Sequence, residues 1–75
     1  MTNKLFMLGK ELSQNFPRPT GNWQRDFLIF QNAQNLILDL FQVKTEDVEH
    51  EEIDRLLILL LQEQKGFLEQ MLYAD

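Results

Sequence analysis

Seventy-five residues allow one domain at most, and the absence of cysteine excludes both a disulfide framework and a thiolate metal site. The net charge of −5 is uneven: residues 1–25 carry four bases against the single acid Glu11, whereas residues 26–75 carry eleven acids against Lys44, Arg55 and Lys65. An acidic body lacks the clustered Lys and Arg that neutralise phosphates, so nucleic acid is not an expected partner. Leu5–Leu8 is too short for a signal-peptide core, and the longest apolar run, Leu56–Leu61, is six residues against the ~20 that cross a membrane. The expectation is a cytoplasmic protein with no membrane partner.

The first element in chain order is a short amphipathic helix over about 3–15, with Leu5, Leu8 and Leu12 on one stripe and Phe16 continuing it. Residues 16–22 hold both prolines and Gly21, residue types that a helix interior does not tolerate, and read as a loop. A second helix is predicted over about 23–42, with Asn22 as its N-cap. Its polar arc holds Gln24, Gln31, Asn32, Asn35, Asp39 and Gln42. The apolar arc runs through Trp23, Phe27, Phe30, Ala33, Ile37, Leu40 and Phe41, joined by Ile29 and Leu36. That arc covers roughly 220°, wider than one neighbour hides. The second helix is therefore expected to meet more than one partner element.

Val43-Lys44-Thr45 reads as a turn, because Glu46 and Asp47 behind it favour a helix N-terminus. The third helix is predicted over about 46–73. Its seam takes His50, Leu57, Gln64 and Met71 at one heptad position and Ile53, Leu60 and Phe67 at the other. A buried Gln64 or His50 there would fix helix register. No stretch alternates apolar and polar residues with period two, so no strand is expected. The predicted fold is all-α: a short N-terminal helix plus a long antiparallel helical hairpin, dimerising into a helical bundle.

Leu56–Leu61 covers every side of a helix, more than one short helix and one hairpin partner would hide. A chain of this size folds to about 4,900 Å² of surface, and the apolar area it buries roughly offsets the conformational entropy it loses. A second core shared with another chain would relieve that balance. Leu56, Ile58 and Leu59, with Leu28 on the polar side of the second helix, are the candidate interface with a partner or a second copy.

Glu46–Asp54 holds six acids in nine residues around His50, the sole histidine. Asp47-x-x-His50 imitates the Glu-x-x-His step of carboxylate-bridged metal bundles, but the second helix offers only Asp26 and Asp39 to complete a ligand set. No metal and no cofactor are expected. Glu49, Glu51 and Glu52 are instead a candidate acidic recognition surface, against the simpler reading of a solvated charged face. Ser13 is the only serine and sits outside any nucleophile elbow, and the three glycines are isolated, so no catalytic triad or phosphate loop can be assembled. The function expected is regulatory protein–protein interaction without catalysis, as an adaptor, inhibitor or antitoxin-like binder. The alternative is a structural subunit or assembly factor, and charge disfavours a DNA-binding regulator.

Overall fold

The computed structural model describes residues 4–46 and 51–73, and all its regular structure is helical: α1 Lys4–Gln14, α2 Trp23–Glu46 and α3 Glu51–Tyr73. Each helix packs on the other two.

α1 closes with the Asn15 N–H donating to the Glu11 carbonyl at 3.0 Å. Pro17 then stops it, since the residue before a proline is pushed out of helical conformation. The chain turns at Gly21, whose φ of 91° lies in the left-handed region that only glycine occupies without strain. Asn22 follows as N-cap: its Oδ1 accepts the Arg25 N–H at 3.2 Å, and its carbonyl accepts the Asp26 N–H at 2.9 Å to begin the helical ladder.

α2 runs through the turn expected at 43–45 and reaches Glu46. The reason is chemical. Val43 and Thr45 are β-branched and cost only tenths of a kcal/mol each in a helix, and no glycine or proline interrupts the segment. Glu46 therefore ends α2 instead of opening α3. His50, Asp47 and Glu49 lie outside the described residues.

The core joins Ile37 and Leu40 of α2 to Ile53, Leu56, Leu57 and Leu60 of α3, with Leu5, Phe6 and Leu12 of α1 packed against it. Ile53, Leu57, Leu60, Gln64 and Phe67, five of the seam positions, are all buried. Phe16 meets Phe67 edge-on at 5.8 Å, tying the loop to α3.

α1 docks through a residue that its hydrophobic pattern does not mark. Gly9 is buried, and a Cβ there would lie 3.0 Å from both Leu40 Cδ1 and Leu56 Cδ2. The missing side chain lets α1 sit directly on both long helices. Leu8, expected on the buried stripe, is turned outward and 48% exposed. Spacings of three and four are both helical, so Leu5–Leu8–Leu12 and Leu5–Gly9–Leu12 are equally regular. The close approach selects the second.

Candidate functional site

One flank of the helix pair is left uncovered among the described residues. Seating Gly9 on Leu40 and Leu56 places α1 on one flank of α2 and α3. At about 100° per residue, Gln34 lies roughly 120° around α2 from Leu40, and Gln64 lies roughly 80° around α3 from Leu56. These two glutamines meet: Gln64 Nε2 donates to Gln34 Oε1 at 2.7 Å, and Gln64 is buried. Beyond this bond both helices present a second flank, turned away from α1. Trp23, Phe27, Leu38 and Phe41 of α2 and Leu61, Leu68 and Leu72 of α3 stand there, all exposed. From their fractional exposures they present roughly 650 Å² of side-chain surface, close to the ~800 Å² per partner of a standard protein–protein interface.

The whole chain repeats the point. Its accessible surface is 5926 Å². A compact monomer of this mass shows about 4,900 Å². The excess is about 1,000 Å². Extents of 43 × 18 × 17 Å account for it, because a rod has more surface than a sphere of equal volume.

The amides at the centre of this flank give it direction. Phe27, Phe30, Gln31, Gln34 and Asn35 line a shallow depression of ≈ 430 Å³. Trp23 stacks on Phe27 at 5.4 Å, near-parallel at 12°, which stiffens one end. From Phe27 to Leu38 there is no charged residue.

At the same end of the molecule as Trp23 the loop builds a closed polar knot. Asp26, 3% exposed, accepts hydrogen bonds from the Thr20 N–H at 2.8 Å and the Thr20 hydroxyl at 2.9 Å on Oδ1, and from the Gly21 N–H at 3.1 Å on Oδ2. The Thr20 backbone N–H foremost holds its carboxyl below the ordinary carboxylate value; burial opposes this, and the Thr20 hydroxyl, the Gly21 N–H and the Arg25 charge add to it. Asp26 is thus a structural anion. It borders a groove of ≈ 810 Å³ shared with Pro19, Trp23, Glu69, Met71 and Tyr73, but both its oxygens already accept hydrogen bonds from the loop.

The residues singled out from sequence part company here. Leu56 is not available as an interface residue: at 5% exposure it is core, because the α1 seat closes over it. Leu28, Ile58 and Leu59 are exposed. The structure does not unite them, since Leu28 is about 120° around α2 from Gln34, and Leu59 about 140° around α3 from Gln64. Ile58 stands at the margin of the apolar flank. Glu51 and Glu52 are exposed at the start of α3, and Glu49 lies outside the described residues. Among the described residues no three of His, Asp or Glu converge as a metal-ligand set, and no helix is long and apolar enough to cross a membrane.

Sequence reasoning missed the flank as a unit, although its signal was present. Trp23, Phe27 and Phe41 formed one edge of the wide apolar arc of α2, and two neighbours do not use all of that arc. No family model matches the chain, and neither a curated protein nor a solved structure shows detectable similarity to it.

Proposed function

We propose that this is a small non-catalytic protein that acts by binding another protein chain, with α2 and α3 as an antiparallel hairpin presenting the binding face. The observation that carries the reading is the uncovered flank: seven large apolar side chains on two adjacent helices, around a part-buried amide pair. Apolar surface of this extent on one side of a helix pair is a mark of interaction sites. The hairpin is supported by the order of the contacts, with Gln34 opposite Gln64 and the α2 start near the α3 end at the Trp23–Tyr73 groove. The role suits an adaptor, inhibitor or antitoxin-like regulator. Nucleic acid does not enter it, given the acidic balance over residues 26–75.

A second reading, a structural subunit or assembly factor, draws on a different observation. Leu28, Leu59, Met7 and Leu8 are also exposed, off the flank, as in a chain enclosed on several sides. Photo-crosslinking residues placed in turn at Phe27, Leu68, Leu28 and Leu59 separate the two in producing cells. A regulator gives protein adducts from Phe27 and Leu68 only, and an enclosed subunit from all four. Adducts from none of them reject protein binding through these helices.

A further inference from the structure

We propose that the occupant of the flank is a second copy of this chain, joined across a two-fold axis beside Gln34, with α2 antiparallel to its counterpart. The inference rests on the protein-binding reading and names its partner.

The pattern of α2 carries it. Phe27, Phe30, Gln34, Leu38 and Phe41 are spaced by three, four, four and three residues. The series reads the same in both directions about Gln34, and all five positions lie within about 40° of one another's mean direction on the helix. An isologous antiparallel interface sets each position before the axis against the one equally far beyond it, and this spacing fits that arrangement. Antiparallel pairing sets Phe27 against Phe41 of the other copy and Phe30 against Leu38. The depression of ≈ 430 Å³ around Phe27, Phe30 and Gln34 then receives the Leu38 side chain of the opposite copy.

Charge and area agree. Two chains of net charge −5 repel, so self-association needs a contact surface free of acids, and Phe27–Leu38 contains no charged residue. The exposed side chains of the flank, roughly 650 Å², come close to the ~800 Å² that each partner of a stable dimer contributes. At the axis, the Gln34 amide already accepts from Gln64. A two-fold axis beside Gln34 would let its N–H donors meet the same amide of the second copy.

Sedimentation or light scattering on the intact chain tests the proposal, with circular dichroism to confirm folding. The wild type is expected near 18 kDa, twice the 9.0 kDa chain. Phe27→Glu should weaken association at least ~100-fold while helicity survives, because it sets a charge in a desolvated contact. The double variant Phe27→Lys with Phe41→Glu should restore the dimer, since antiparallel pairing brings each lysine to a glutamate. Parallel pairing would bring like charges together and leave it monomeric. A wild type of 9.0 kDa at high concentration overturns the proposal. A monomeric double variant, or a Leu28→Glu variant that dissociates as readily as Phe27→Glu, overturns it equally. Should the wild type be monomeric while Phe27 crosslinks to a different protein in cells, the second copy is rejected and the protein-binding reading stands.

Discussion

The two flanks of α2 and α3 are made of the same kinds of residue and have opposite fates. On one, Leu40, Leu56 and Leu60 are sealed by α1, an 11-residue helix that reaches them because Gly9 has no side chain. On the other, Trp23, Phe27, Phe41 and Leu68 are exposed, with no counterpart to α1 among the described residues. The difference teaches that coverage depends on a small residue at the crossing point as much as on apolar content. One short helix closes one flank of a 43 Å rod and leaves the other open among the described residues.

The sharpest way to break the comparison is to delete equal volume on each side of it. Leu60 is 0% exposed, so Leu60→Ala leaves a cavity and should cost about 2–5 kcal/mol in chemical denaturation. Leu61→Ala, next to it in sequence and on the open flank, should cost clearly less in a chain diluted below association. Equal costs would mean that the flank is already closed in the single chain.

Next in size is the crossing point. Gly9→Leu forces a branched side chain into a 3.0 Å gap against Leu40 and Leu56 and should cost about 1–3 kcal/mol, with α1 lifting from its seat. Faster amide hydrogen exchange in α1 than in α3 would locate the damage. Gly9→Ala is the finer probe. Its methyl group presses on the ends of two flexible leucine side chains while improving helix propensity, so it should cost far less than leucine.

How much of this is legible in the sequence depends on whether a residue acts through periodicity or through contact. Ile53, Leu57, Leu60, Gln64 and Phe67 are readable because a heptad repeat marks a buried seam wherever the partner lies. Asn22 is readable because a capping side chain acts within its own turn. Gly9 is not, since a hydrophobic pattern gives weight to Leu8 and none to a hydrogen atom. Leu56 and Leu61 flank the same seam symmetrically, and only the position of α1 decides that Leu56 is buried and Leu61 exposed. The helix end was misplaced at 43–45 because acids behind a β-branched pair resemble a start, although nothing there stops a helix already under way.

A smaller effect concerns the polar knot at the loop end. Because hydrogen bonds depress the Asp26 value in the folded chain, the carboxylate contributes stability at pH values above the unfolded carboxylate range, near ~3.9, and that contribution fades as pH falls through the folded value. Asp26→Asn should lower the thermal midpoint at neutral pH and narrow the gap between neutral and acid midpoints. Melts of both proteins from pH 7 to pH 2 check this. Parallel curves would show that Asp26 is not the group whose protonation loosens the loop.

The smallest expected effect sharpens the comparison most, because it uses two adjacent residues. Leu28 is 58% exposed and Phe27 40%, so exposure alone ranks Leu28 as the more dispensable apolar side chain and the better contact. Position ranks them the other way. Phe27 stands within about 20° of Gln34 on the uncovered flank, whereas Leu28 is about 120° away among Gln24, Asn32 and Asn35. Leu28→Glu should therefore change folding stability by no more than about 0.5 kcal/mol and leave the molecular mass as it was. The charge would stand in water beside other polar groups, with nothing to desolvate it. Denaturation and light scattering on this one variant decide the matter. A loss of mass or of several degrees in the midpoint would place the working surface on the polar side of α2, and the division between a sealed and an open flank would then be drawn through the wrong residues.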